Sequence, residues 1–286
     1  MTLVRTTARR LGSLPPVGPL AYGLWRFTND DVAVGQRLIE TALDAGMNLV
    51  DTADVYGYDW GGTGFGQVEE ILGRVLAASP SLRDRMVLAT KGGIAPPTPY
   101  DSSADYLRSA CEASLRRLGV EVIDLYQIHR PDLFSHPADV AAVLAELRDA
   151  GKIREVGVSN HTVAQVEALS AHLPFPIVTT QPEYSAIELG PLRDGTLDHC
   201  LRTGVVPLAW SPLAGGALAT GQGIAPDLLD AIDAIADREH VDRSAVAIIG
   251  SQNPQRIAGA AAALGVQLDR HDVYQIIQAS EGVPLP

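Results

Sequence analysis

Val122-Ile123-Asp124-Leu125-Tyr126-Gln127-Ile128-His129 is a nearly continuous apolar run that ends on an ionisable residue. After a short gap, Pro137 to Ala150 places Val140, Val143, Leu144 and Leu147 on one helical face. Pro sits in its first turn and Gly151 follows as a stop. Ile153–Asn160 then repeats the first pattern. Runs that are apolar throughout, rather than alternating, fit parallel strands buried on both faces.

The same unit recurs in both directions along the chain. Further predicted strands are Met47–Asp51, Met86–Lys91, Ile177–Gln181, Val205–Trp210 and Ala245–Gly250, with a weaker first strand at Leu20–Leu24. Pro207 lacks the N–H that a central strand uses, which counts against that one element. Helical spacing appears at Gln67–Ala78, through Val68, Ile71, Leu72, Val75 and Leu76, and again at Asp227–Glu239 and Asp269–Ala279. Pro254 and Gly265 bracket another helix. Eight strand–helix alternations with no linker predict a closed (β/α)8 TIM barrel, a single domain over residues 1–286. Thr2–Leu11, ahead of the first strand, is expected to form a short hairpin or cap.

Composition narrows the function. The chain has 286 residues, 46% hydrophobic and 20% charged, which excludes disordered and fibrous classes. No stretch reaches the ~18 apolar residues of a membrane span, and the first residues have no apolar signal core, so a cytoplasmic protein is expected. The net charge of −12 repels phosphate backbones, which argues against nucleic acid as a partner. Two cysteines, Cys111 and Cys200, are too few for a disulfide framework and read as core filler. No long exposed apolar stripe is evident, so a monomer is expected. Against 20 arginines there are two lysines, Lys91 and Lys152. A buried Lys can act as a compact, tunable charge, so one ending an apolar strand points to chemistry.

In a barrel, chemistry sits where the strands end. Here those ends carry Asp51, Lys91, His129, Ser159 with Asn160, Gln181, Ser211 and Ser251. Each alone could be a helix cap or a satisfied core residue; the set is harder to dismiss. Other motifs fail. Gly61-Gly62-Thr63-Gly64-Phe65-Gly66 lacks dinucleotide-fingerprint spacing, Gly157-Val158-Ser159-Asn160-His161 fails the nucleophile elbow, and no histidine pair has metal-ligand spacing.

Asp51-Thr52-Ala53-Asp54-Val55-Tyr56-Gly57 resembles the signature of the aldo-keto reductases. The resemblance continues through Val87–Lys91, Ile123–His129, Gly151–Asn160, Gln181-Pro182-Glu183-Tyr184, Ala209–Leu213 and Ile249–Arg256, in order and at family-like spacing from about Leu20 to Leu264. It implies reversible reduction of a small aldehyde or ketone by a nicotinamide cofactor, with Asp51, Tyr56, Lys91 and His129 as a catalytic tetrad. Tyr56 would be the proton donor. Its unperturbed pKa lies near ~10, and a charge ~4 Å away at an effective dielectric of ~20 interacts by roughly 4 kcal/mol. Lys91 is thus expected to lower it, held by Asp51, while His129 polarises the carbonyl.

The resemblance further implies that Ser159, Asn160 and Gln181 hold the nicotinamide carboxamide and that Trp210 stacks on its ring. Ser211 to Gly216, with Leu213 and Gly215, would receive the pyrophosphate, and Gly250, Ser251, Gln252 and Arg256 the adenosine phosphate. Arg256 could pair with a 2′-phosphate, favouring NADPH over NADH, or be a plain surface residue. Three departures stand out. Gly250 replaces a phosphate-binding Lys of some members, Gly259 and Ala260 replace an adenine-contacting Glu-Asn pair, and the chain is short around Val246–Ile248. Trp25, Trp60 and Tyr100 are placed to line a shallow substrate pocket. Arg130 either attracts an anionic carbonyl or pairs with Asp132. Two alternatives remain open: a slow nucleotide-binding regulatory module like the channel β-subunits of this barrel, and a Schiff-base lyase using Lys91.

Overall fold

Parallel strands form wherever the apolar runs begin to pack, and their order along the sheet follows their order along the chain. The computed structural model describes residues 3–245 and 253–285. Among these, seven strands form one parallel sheet in the order β1 to β7. They are β1 (Ala21–Gly23), β2 (Leu49–Asp51), β3 (Val87–Gly92), β4 (Ile123–Ile128), β5 (Ile153–Ser159), β6 (Thr179–Gln181) and β7 (Val206–Pro207). Helices alternate with them, and the architecture is that of a (β/α)8 barrel. Gln67–Ala78 is helical over the range its spacing predicts. Pro137–Asp149, Pro226–Glu239 and Arg270–Glu281 differ from expectation only at their ends. Pro254–Gly265 divides into an α-helix to Ala260 and a 3-10 turn.

The outer and inner faces of the strands bury different things. Outward residues such as Tyr22, Val50, Leu88, Tyr126, Val156 and Val158 pack under the helices in the larger core. Inward residues Leu49, Val87, Ala89 and Leu125 fill the lower barrel. The N-terminal segment closes that end. Its hairpin lies later than expected: Arg9 and Val17 exchange backbone hydrogen bonds of 2.8 and 2.7 Å. Leu11, Leu14 and Val17 join the inner core as a plug. Gly12, at φ 55°, lies against the Glu155 carboxylate, and a Cβ there would collide with it.

Most of the described strands are shorter than the sequence implies, β7 above all. Val205–Trp210 reduces to Val206–Pro207, with Val206 and Leu208 N–H donating to Val178 and Thr180. The position of Pro207 falls between those two donors, where no bond to β6 is made, so a proline is tolerated there. Of the predicted strand Ala245–Gly250, Ala245 lies in a 3-10 turn and the remainder is outside the described residues. The short stretch Val246–Ile248 is also outside them. Cys111 and Cys200 are free thiols, both buried.

Candidate active site

Above the apolar plug, the inward face of the strands turns polar. Lys91 on β3, Gln127 on β4, Gly157 on β5 and Thr179 on β6 are successive register partners, so their side-chain directions share the barrel interior. Asp51 ends β2 one layer away. The Lys91 ammonium is fully buried and donates to Asp51 Oδ2 at 2.6 Å, to the Thr52 carbonyl at 2.8 Å and to Tyr56 Oη at 3.2 Å. Tyr56 is half-buried on the loop after β2, its ring 5.8 Å from that of His129 at an interplanar angle of 77°. The four residues of the predicted tetrad therefore meet in one place.

Their electrostatics differ from the sequence expectation in one respect. Burial raises the Tyr56 phenol above its ordinary range, and the Lys91 charge offsets this in part. The net direction is upward, because removing a phenolate from water outweighs one adjacent ammonium. Burial works against the Lys91 charge, yet Asp51 and Tyr56 together carry it above its ordinary value. Burial, then the Lys91 and Arg130 charges, hold the His129 imidazole well below its own. At neutral pH the set is a neutral phenol, an ammonium and a neutral imidazole.

The residues expected at a nicotinamide cluster at the ends of β5, β6 and β7. Asn160, in the left-handed region at φ 58°, donates to Ser159 Oγ at 2.8 Å and to the His129 carbonyl at 3.3 Å. It accepts from Trp210 Nε1 at 2.9 Å, and Ser159 Oγ donates to the Gln181 carbonyl at 2.9 Å. Gln181 reaches inward instead, donating to Asp51 Oδ2 at 3.3 Å. Ser211, Ala214, Gly215 and Gly216 all have positive φ, and Ser211 Oγ accepts from Gly215 N at 3.0 Å. A non-glycine residue held there is strained by about 1 kcal/mol or more, a pattern common at ligand-binding turns. The Ala214 and Gly216 N–H groups also donate within the turn, to the Ser211 and Leu213 carbonyls at 2.7 and 2.9 Å. Leu213 is buried beneath this loop.

Other predictions fare unevenly. Trp25 and Trp60 pack edge to face at 4.7 Å, whereas Tyr100, on the loop after β3, is exposed and joins no aromatic pair among the described residues. Arg130 does not pair with Asp132. That carboxylate accepts from Ser102 N, Phe134 N and Ser135 Oγ, while the Arg130 guanidinium lies 5.8 Å from the Trp210 ring centre. Arg256 is exposed in the first turn of Pro254–Ala260, and Gly250, Ser251 and Gln252 lie outside the described residues. Ala260 packs in the larger core, so it offers no side chain to an adenine.

Two residues escaped the sequence reading. Gln127 reaches Asp51 Oδ1 at 3.1 Å; its cue was a polar residue at an inward position inside an apolar run. Arg26 donates to the Gly215 carbonyl at 3.2 Å and lies over both Trp25 and Trp60. It ties the loop after β1 to the Ser211–Gly216 turn, and no local pattern marks a contact so distant in sequence. A separate concavity of about 480 Å³ lies beside Arg83, Asp124 and Arg154, with none of the tetrad in its lining. Both guanidiniums there are paired with the buried Asp124 carboxylate.

Comparison with known proteins gives the family. The model of the aldo/keto reductase family matches residues 19–234. The chain belongs to the aldo/keto reductase family. A relative named 6-dehydroglucose reductase from Novosphingobium aromaticivorans is 48% identical over 94% of each chain. Another of that name from Agrobacterium fabrum is 34% identical over 92% of this chain and 94% of its own. The solved glycerol dehydrogenase of Gluconobacter oxydans superposes on this aldo/keto reductase with a TM-score of 0.83 at 29% identity, covering 98% of this chain and 97% of that one.

Proposed function

We propose that this aldo/keto reductase reduces small aldehydes and activated ketones with NADPH, using Tyr56 as general acid. The observation that carries the reading is the buried chain Asp51–Lys91–Tyr56, at 2.6 and 3.2 Å, with the His129 ring beside the phenol. A raised phenol keeps its proton until the carbonyl oxygen gains negative charge. Lys91 then stabilises the phenolate left behind, and Asp51 keeps Lys91 charged and aimed. The neutral His129 imidazole donates a hydrogen bond to the same oxygen.

A nicotinamide cofactor bound beside these residues supplies the hydride. The donor set at the ends of β5 to β7 fits such a group: Ser159, Asn160 and Gln181 offer amide and hydroxyl partners for its carboxamide, and Trp210 an aromatic face. The positive-φ turn from Ser211 through Leu213 and Gly215 is assigned to the pyrophosphate, whose binding there competes with the bonds that the Ala214, Gly215 and Gly216 N–H groups make to Ser211 and Leu213. Gly250, Ser251, Gln252 and Arg256 are assigned to the adenosine phosphate, with Arg256 favouring NADPH over NADH. Trp25, Trp60, Tyr100 and Arg130 are assigned to the substrate mouth. Two relatives bear the name 6-dehydroglucose reductase, and aromatic faces beside a guanidinium suit a polyhydroxylated aldehyde as substrate.

The test follows NADPH consumption with 4-nitrobenzaldehyde and with an aldehyde-bearing sugar, in wild type and Tyr56→Phe. Loss of a positioned acid lowers turnover by about 10²–10⁴-fold. Equal turnover in the two proteins removes Tyr56 from the role. NADPH binding without any wild-type turnover replaces the reductase reading with that of a nucleotide-binding module.

A further inference from the structure

The Asp51 carboxylate is held by more than its lysine. Gln127 Nε2 donates to Oδ1 at 3.1 Å, and Gln181 Nε2 to Oδ2 at 3.3 Å beside the Lys91 bond. The two amides are not equivalent. Gln181 closes β6 at the cofactor end, where its amide is assigned to a ligand, whereas Gln127 lies within β4 with no exposed surface. Thr179 Oγ1 donates to Gln127 Oε1 at 3.4 Å, which leaves the NH2 end of that amide to face Asp51. Gly157 stands between Gln127 and Thr179 in the register row. A methyl group there would collide with Thr179 Oγ1 and come within 3.0 Å of Gln127 Cγ. The chain thus sets aside one residue on β5 to admit a hydrogen-bonded pair whose outlet is Asp51.

We propose that Gln127 is a positioning residue of the proton-donating group: it fixes the Asp51 carboxylate, and through it the direction in which Lys91 faces Tyr56. This rests on the reading of Asp51, Lys91 and Tyr56 given above. Without Gln127, Oδ1 loses its side-chain donor and the carboxylate is held through Oδ2 alone, by Lys91 and Gln181, so it can turn about its Cβ–Cγ bond and shift the ammonium against its remaining Thr52 anchor. Lys91 then offsets the burial of the Tyr56 phenol less well and stabilises its phenolate less.

The chain's two lysines make this directly observable. In protein labelled with 15N at the lysine side chains, Lys91 and Lys152 give separate ammonium signals. Lys152, paired with Glu112 at 2.5 Å and partly exposed, serves as the internal reference. In Gln127→Leu the Lys91 signal should move or broaden while that of Lys152 stays in place. Turnover should fall about tenfold with KM unchanged, the size expected for one lost hydrogen bond that matters in the transition state. The alkaline limb of kcat against pH should move to higher pH, because the phenol is less opposed in keeping its proton. Thr179→Val, which keeps the volume but removes the hydroxyl that orients the amide, should move the same signal and limb by less, and it serves if Gln127→Leu does not fold. A Lys91 signal that stays in place in the folded variants, whatever happens to the melting temperature, overturns the proposal. If wild type turns over no carbonyl, the reductase reading fails, and the Lys91 signal still decides whether Gln127 sets that geometry.

Discussion

Asp54 stands two residues before Tyr56, fully buried, with its backbone N–H bonded to the Lys91 carbonyl at 3.0 Å. Burial, then the Glu69 carboxylate beside it, push its carboxyl well above the usual range, against the Arg117 and Lys91 charges. Neither cation is available to neutralise it. Arg117 holds Glu69 at 2.6 Å, and Lys91 holds Asp51. A carboxyl whose folded-state pKa is raised contributes its stability below the unfolded value, near ~4, and loses it as pH rises through the folded value. Asp54→Asn removes that ionisation. Urea unfolding followed from about pH 4.5 upward should show a smaller decline attributable to this group for the variant than for wild type. The residue pattern Asp51–Tyr56 was legible in the sequence as a motif. That Asp54 is held neutral was not, because the neighbours responsible come from the helices Gln67–Ala78 and Ala104–Leu118.

At the scale of elements, the segment before β1 does more than lead into the barrel. Leu11 and Leu14 are buried among inward residues of β2, β3 and β4, so the hairpin completes the inner core. Leu14→Ala deletes most of a buried side chain from a closed space. It should lower stability by about 2–5 kcal/mol in denaturant unfolding, with nucleotide affinity per folded molecule unchanged, since the plug closes the end opposite the tetrad. Helix positions were readable from periodicity because each helix buries one continuous face, as Gln67–Ala78 does with Val68, Ile71, Leu72, Val75 and Leu76. Strand ends were less readable. Met47 and Ile177 are as apolar and buried as true strand residues, yet the sheet begins after them, at Leu49 and Thr179. The ladder, not hydrophobicity, decides where a strand starts.

Across the whole molecule, stability should be limited at both ends of the pH scale. Asp54 lowers stability as pH rises from about 4 toward its raised folded value. On the acid side, burial pushes His129 well below its ordinary value and lowers His161 despite the Ser159 carbonyl at its Nδ1. Below about pH 6.5 the unfolded chain binds protons that these folded imidazoles refuse, so stability falls with falling pH. Two such groups give a slope of at most about 2.7 kcal/mol per pH unit, opposed by at most about 1.4 from Asp54 where it titrates in the same range. The net charge of −12 acts the other way, since acidification relieves self-repulsion. Salt screens repulsion between exposed charges and leaves the buried histidines nearly untouched. Urea midpoints measured in salt should therefore fall from about pH 7 to about pH 5.5, and the double variant His129→Gln, His161→Gln should flatten that fall.

The sequence by itself determined the repeating strand–helix unit, hence the barrel, and the polar residues at strand ends, Asp51, Lys91 and His129 among them, that mark the candidate site. Those follow from local periodicity and from which residues end apolar runs. Tertiary structure alone decided which partner each polar group takes: Gln127 and Gln181 on Asp51, Arg130 over Trp210 rather than beside Asp132, Arg26 on Gly215. It also decided that burial outweighs Lys91 in setting the Tyr56 phenol. Such pairings join residues tens to hundreds of positions apart. They depend on the stagger between neighbouring strands and on the water excluded between them, neither of which any local stretch of the chain encodes.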